Sequence, residues 1–230
     1  LWPAVLAPLA FAHVWKLRGR RDALVAAATF AGVVGAVFLP FALVAPAGLW
    51  DALWRQAERP LQIESLGAGL LLAAHHAFGL ELTMESSHGS QNLAGVAPDA
   101  LAVASTLAQV GVLTLIWGRY ARGRASAERL LCASAAAVCA FIAFGKVLSP
   151  QFLIWLVPLV PLVAGRRGLV ASALLAAALV LTQLWFPFRY WELALEFDAV
   201  ASWLVLVRDL ALVALVAVLT PRARAGPARR

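Results

Sequence analysis

Long apolar runs alternate with short polar segments along most of the chain. A run of about 20 apolar residues is long enough to cross a lipid bilayer as a helix. The candidate runs are Leu1–Trp15, Leu24–Pro46, Asp99–Trp117, Leu130–Leu148, Pro150–Ala164, Leu169–Phe186 and Ala199–Thr220. The pattern therefore predicts an all-α fold, a polytopic transmembrane helix bundle.

Basic residues cluster between these runs and predict the orientation of the bundle. The clusters lie at Lys16–Arg21, Arg119–Arg129, Arg166–Arg167 and Arg222–Arg230. Because Lys and Arg concentrate in cytoplasmic loops, we expect all four clusters in the cytoplasm. This holds only if one further apolar stretch, Leu66–Leu80, does not cross. Its short length predicts a re-entrant or interfacial helix, so residues 47–98 become one long extracytoplasmic loop.

Composition agrees with a membrane protein and argues against other classes. The chain of 230 residues is 63% hydrophobic and 13% charged, whereas a soluble domain carries about 25% charged residues. The formal net charge is +7, but the arginines lie in short separate clusters, so we expect no nucleic-acid partner. Cys132 and Cys139 lie on one face of a single predicted helix, where they cannot form a disulfide with each other.

A polar cluster interrupts the apolar runs at "FGKVLSPQFLIW", residues Phe144–Trp155. Pro150 favours the start of a new helix, with Ser149 as its N-cap. Lys146, Gln151 and the free backbone N–H groups of that helix would then form a seat for a phosphate on the outer side. The alternative is that Lys146 extends to the membrane interface and Gln151 caps a turn.

The predicted outer loop begins with an amphipathic segment, "LWDALWRQAERPLQIES". Trp50 and Trp54 lie on one helix face, which is typical of a helix in the membrane interface. Arg59 and Glu64 follow it as candidate contacts to a polar substrate, or as ordinary solvated charges. The histidines His75, His76 and His88 lack the spacing of metal ligands, so no metal site is expected.

The mid-span pair Arg208 and Asp209 is costly in a membrane and is expected to face the bundle interior. We favour an internal ion pair between the two side chains. The alternative is that Arg208 reaches a lipid phosphate.

Three motifs together resemble the membrane glycosyltransferases of the C superfamily, most nearly glycosyltransferase family 87. They are "RPLQIES" at Arg59–Ser65, "GSQNLAG" at Gly89–Gly95 and "KVLSPQFLIW" at Lys146–Trp155. That family comprises mannosyltransferases that depend on polyprenyl-phosphate mannose. The resemblance implies inverting transfer of a sugar, with mannose expected, from a polyprenyl-phosphate donor to a hydroxyl of a glycolipid or glycan acceptor outside the membrane.

The resemblance also implies roles for individual residues. Lys146, Ser149 and Gln151 would bind the donor phosphate. Arg59, Gln62, Glu64 and Ser65 would shape the donor or acceptor pocket. The general base of the family lies in the first outer loop, which we expect upstream of Leu1, so no catalytic residue is assigned here. No cofactor is implied, because the lipid-linked sugar is itself the donor substrate.

The expected organisation is a single transmembrane glycosyltransferase-like domain over residues 1–220 and a disordered cytoplasmic tail over residues 221–230. The chain begins inside an apolar run, so we expect a C-terminal part of a multi-pass protein of a bacterial plasma membrane, in contact with membrane lipids. Two other functions stay open. A transporter or flippase for lipid-linked sugars would need an inverted repeat, which is not evident. A non-catalytic scaffold would leave the outer polar groups unexplained.

Overall fold

The structure is a computed structural model that describes residues 2–221, and within them it is mostly helical. The α-helices are α1 (Ala7–Arg18), α2 (Arg20–Val44), α3 (Pro46–Ala57), α4 (Leu66–Phe78), α5 (Val96–Arg122), α6 (Ala127–Ala143), α7 (Gly165–Gln183), α8 (Tyr190–Glu196) and α9 (Ala199–Leu219). Short 3-10 helices cover Trp2–Leu6, Pro150–Trp155 and Val160–Leu162. The predicted tail lies outside the described residues, apart from Pro221.

Four of these helices are long and apolar enough to cross a membrane, namely α2, α5, α7 and α9. They correspond to four of the predicted spans, with ends shifted by a few residues. Two other predicted spans form shorter helices, because α1 has 12 residues and α6 has 17. The predicted helix Leu130–Leu148 is wrong at its C-terminal end, since α6 stops at Ala143 and Lys146 lies in irregular chain beyond it.

The predicted helix Pro150–Ala164 forms only in part, as a short apolar stretch of 3-10 helix and turns over Pro150–Leu162 and not as an α-helix. Only Pro150–Trp155 and Val160–Leu162 are helical, both as 3-10 turns, and the Ser149 side chain makes no capping hydrogen bond. The physical reason is proline. Pro158 and Pro161 lack the backbone N–H that an α-helix needs, and their rings clash with the preceding turn.

A small antiparallel sheet corrects the all-α prediction. Strands β1 (Leu61–Gln62), β2 (Thr83–Ser87) and β3 (Ser90–Ala94) are arranged in the order β1-β3-β2. A two-residue turn at His88 and Gly89 joins β2 to β3, and both residues have positive φ, which is typical of tight hairpins. Leu61 pairs with Leu93, so the sheet links the chain before α4 to the chain before α5.

The main core forms around α6, whose small side chains allow close approach of its neighbours. Ala135, Ala136 and Ala137 are fully buried, and α5 and α9 both pack against α6. A second apolar cluster lies nearer the sheet, where Leu61, Leu93, Trp185 and Val205 are buried together. Cys132 and Cys139 form no disulfide with each other, as predicted, and both are buried in the main core.

Helix α4 does not run the length of its neighbour α9. The Glu64 carbonyl, just before α4, accepts a hydrogen bond from Arg208, and Gly69 packs against Leu206. His75, near the end of α4, contacts the ring of Phe197 just before α9. Helix α4 is therefore antiparallel to the first half of α9, and its start lies about 14 Å along the α9 axis from Ala199.

Three of the basic clusters meet at one end of the molecule. Lys16 donates to the Tyr120 carbonyl at 3.1 Å, which brings the α1–α2 connection to the C-terminal end of α5. At the same end, Arg129 donates to the Arg119 carbonyl, and Arg167 donates to the Val218 carbonyl. The fourth predicted cluster, Arg222–Arg230, lies outside the described residues.

Candidate functional site

The three segments that carry the family resemblance are adjacent in the structure. Strand β1 belongs to the first motif and pairs with β3, which belongs to the second. The third motif joins them because the backbone N–H of Gln62 donates to the Lys146 carbonyl at 2.9 Å. The Lys146 ammonium in turn donates to the Ala57 carbonyl at 2.6 Å. Segments far apart in the chain therefore form one polar region beside α4 and α9.

The deep part of this region is formed by Gln62, Glu64 and Ser65, which are all buried. The Gln62 amide nitrogen donates to a Glu64 carboxylate oxygen. Ser65 acts mainly as the N-cap of α4, since its hydroxyl accepts from the Ala68 N–H and donates to the Gln62 carbonyl. Gln62 Oε1 and Glu64 Oε1 are buried without a hydrogen-bond partner among the described residues, so these two oxygens are free to accept from a ligand.

Arg208 and Asp209 adjoin the deep part from α9, and both are 0% exposed. Arg208 Nε lies 2.7 Å from Asp209 Oδ1, which confirms the predicted internal ion pair. Arg208 Nη2 also donates to the Glu64 carbonyl at 2.8 Å, and the guanidinium lies over the Trp185 ring at 5.9 Å. The pair therefore ties the start of α4 to the middle of α9.

The Glu64 carboxyl titrates unusually for a glutamate. Burial raises its pKa to about 7, while the Arg208 charge and the hydrogen bond from Gln62 act in the opposite direction. Burial also raises the pKa of Tyr190 to about 12, and the Glu64 charge adds to that shift. Around neutral pH the Glu64 carboxyl can therefore exchange a proton.

Two cations, Arg59 and Lys146, lie on the more accessible side of the region. Arg59 Nη2 donates to Ser90 Oγ at 3.1 Å, and Ser90 Oγ donates to Asn92 Oδ1 at 3.0 Å. Burial lowers the pKa of Lys146, and the Arg59 charge lowers it further, so the two cations are close enough to repel.

Within residues 2–221, the ion pairs involve only Arg189 and Arg208, so neither Arg59 nor Lys146 is neutralised by a carboxylate. Arg59 Nε is also buried without a hydrogen-bond partner in that part of the chain. Two neighbouring cations without a counter-charge favour an anionic ligand, because an anion relieves their repulsion and supplies the missing acceptors.

Ser149 and Gln151 are placed differently from the prediction. The Ser149 hydroxyl donates to the Gln151 side-chain oxygen at 2.9 Å, and Gln151 is exposed. Because Pro150–Trp155 is a short 3-10 turn, the expected α-helix N-terminus is not available as an anion seat. The cationic part of the site therefore consists of Lys146 and Arg59.

Several polar residues of the region were not singled out from the sequence. Ser90 and Asn92 lie inside the second motif, but only the pairing of β3 with β1 places them beside Arg59. Trp185 and Tyr190 follow α7, and no spacing rule connects them to residues near position 64. The structure shows no group of three or more His, Cys, Asp or Glu that could hold a metal ion among residues 2–221.

No family model, curated protein or solved structure matches this chain.

Proposed function

We propose that this chain forms the donor-binding part of an integral membrane glycosyltransferase. The enzyme moves a sugar, expected to be mannose, from a polyprenyl-phosphate donor to a lipid- or glycan-borne acceptor outside the cytoplasm. The observation that carries the proposal is the convergence of the three motifs on one polar region with two unneutralised cations, Arg59 and Lys146.

The membrane arrangement that we propose is a polytopic bundle with this region at the extracytoplasmic end. Helix α4 would be re-entrant, since it starts beside the middle of α9 and returns to the start of α9. Helix α3 would lie in the interface, with the exposed rings of Trp50 and Trp54 stacked 5.9 Å apart on one face. A lipid-linked donor would then reach the site from the outer leaflet.

In the proposed reaction the donor phosphate lies against Arg59 and Lys146. The acceptor hydroxyl attacks the anomeric carbon, the bond from that carbon to the phosphate oxygen breaks, and polyprenyl phosphate leaves. Negative charge grows on the departing phosphate, so two fixed cations stabilise the transition state more than the bound donor. The proton of the acceptor passes to a general base that we leave unassigned.

Replacement of Lys146 tests the proposal. In the full-length protein, Lys146→Gln should lower sugar transfer at limiting donor by about tenfold to a hundredfold, because a charge-assisted hydrogen bond contributes about 1.5–3 kcal/mol. Lys146→Arg should be only partly active, since a planar guanidinium does not reproduce a point charge. Transfer from radiolabelled polyprenyl-phosphate mannose measures both.

Arg224→Gln, in the predicted cytoplasmic tail, is the control and should transfer at the wild-type rate. Full activity of Lys146→Gln at limiting donor would mean that Lys146 does not bind the phosphate. Movement of the lipid-linked sugar across the membrane without any transfer product would favour the transporter instead.

A further inference from the structure

A cavity of about 1020 Å³ lies at the end of the molecule opposite the polar region. It forms where the first turns of α6 and α7 meet the last turn of α9. Its charged lining residues are Arg124, Glu128, Arg129, Arg166 and Arg167. Four arginines against one glutamate leave this arginine cavity strongly positive.

Contacts within the protein neutralise little of this charge. Arg167 donates to the carbonyls of Val218 and Thr220, and Arg129 donates to that of Arg119, so these two arginines also cap helix ends. Neither forms an ion pair within residues 2–221, and Arg129 Nε is buried there without a hydrogen-bond partner. The sequence after Pro221 adds four further arginines and no acidic residue.

Arg124 and Arg166 have a different character. Both are exposed at the rim of the cavity, and neither takes part in an ion pair in the described part of the chain. The N-terminal ends of α6 and α7 lie at the same rim, and their free N–H groups add to the positive potential. The rim of the cavity therefore carries two exposed guanidinium groups that could bind an anion.

Apolar side chains next to the arginines indicate which anion fits. Val170 lines the cavity and is 45% exposed, and its neighbour Leu169 is 74% exposed on the same helix. A soluble phosphate has no apolar group to contact these side chains, whereas a phospholipid has both a charged head group and apolar chains. Basic pockets between transmembrane helices are a known form of lipid head-group site.

We infer that the arginine cavity binds the head group of an anionic phospholipid, with the acyl chains lying along the outer surface of α7. The positive-inside orientation would assign this lipid to the cytoplasmic leaflet. The site is separate from the proposed donor site and does not depend on the proposed activity.

Lipid binding by the purified protein tests this inference. The protein in neutral detergent is titrated with phosphatidylglycerol or phosphatidylcholine, and bound lipid is counted by native mass spectrometry. Wild type should bind one phosphatidylglycerol at least about tenfold more tightly than phosphatidylcholine. The double variant Arg124→Gln/Arg166→Gln should lose that preference, and Arg124→Lys/Arg166→Lys should keep part of it.

Arg18→Gln/Arg122→Gln is the matched control, because it removes the same charge from exposed positions outside the cavity lining. Its lipid preference should equal that of wild type. Equal loss in the control would mean general charge attraction and would overturn the site. The inference is also wrong if wild type shows no preference between the two lipids, or if inorganic phosphate binds the cavity and phosphatidylglycerol does not.

Discussion

Charged side chains lie unusually deep beside α9 in this protein. Glu64, Arg208 and Asp209 are each at most 2% exposed, and an ionised group removed from water costs several kcal/mol unless it is well paired. The Arg208 guanidinium forms an ion pair with Asp209 and also donates to the Glu64 carbonyl, so it connects α9 to the segment just before α4. Burial raises the pKa of the Glu64 carboxyl to about 7, because the Arg208 charge and the hydrogen bond from Gln62 offset the loss of water only in part.

The first residue-scale prediction concerns the pH dependence of stability. The pKa of Glu64 is about 7 in the folded chain against an ordinary 4.5, so the folded state binds the extra proton between these values. The free energy of unfolding should therefore fall as pH rises from about 4.5 to about 7 and level off above that. Glu64→Gln should remove this component, since a neutral amide does not titrate.

Thermal unfolding in detergent, followed by tryptophan fluorescence from pH 4.5 to 8, measures the difference between wild type and Glu64→Gln. Arg208, Asp209 and Tyr190 surround Glu64 in both proteins, so the subtraction largely isolates the glutamate. Glu85→Gln, at an exposed position on β2, is the control. A wild-type curve parallel to that of Glu64→Gln would show that folding leaves the pKa of Glu64 unchanged and would contradict the prediction.

At the scale of elements, the sequence predicts the long helices well because their apolar runs are long and their ends are basic. It fails where short signals compete with hydrophobicity. The run Pro150–Ala164 is apolar enough to predict a helix, although Pro158 and Pro161 inside it disfavour the α-helical conformation. The β2–β3 hairpin was missed although His88-Gly89 is a tight-turn signal, since its strands are polar and β1 has two residues.

The residues of the candidate site likewise include some that the sequence predicted and others that only the fold brings together. Arg59, Gln62, Glu64 and Lys146 were predicted from the sequence and lie together in the structure. The contribution of Ser90, Trp185 and Tyr190 depends on contacts between distant segments, which no local pattern contains. The predicted α-helix N-terminus beside Ser149 and Gln151 does not form, because Pro150–Trp155 is a 3-10 helix, while the phosphate-binding role of the two side chains stays a prediction.

Packing of α4 against α9 gives an element-scale prediction. A Cβ added at Gly69 would lie 3.4 Å from the Leu206 Cα, which is a normal van der Waals distance, so Gly69→Ala should be tolerated. Gly69→Leu should force the helices apart and lower the free energy of unfolding by about 1–3 kcal/mol. Thermal unfolding in detergent measures the change.

Gly111→Leu makes the same substitution in α5 at an exposed position with nothing within 4 Å, so its effect should stay within about 0.5 kcal/mol. If both variants were equally stable, the close contact between α4 and α9 would not exist in the membrane protein.

At the scale of the whole molecule, the two ends differ in chemistry. One end holds the basic connections and the arginine cavity, and the other holds the sheet, α3 and the polar region with Arg59 and Lys146. The central claim is that these ends face opposite sides of a membrane, with the polar region outside. That orientation would assign the proposed donor site to the outer side of the membrane and the proposed lipid site to the cytoplasmic leaflet.

Cysteine labelling on intact cells tests the orientation most directly. Ser86→Cys on β2 and Arg122→Cys at the end of α5 are both exposed positions, and Cys132 and Cys139 are first replaced by Ala to remove the background. With a membrane-impermeant thiol reagent, Ser86→Cys should label in intact cells, and Arg122→Cys should label only after permeabilisation. Labelling of Arg122→Cys but not Ser86→Cys in intact cells would invert the orientation and contradict the account.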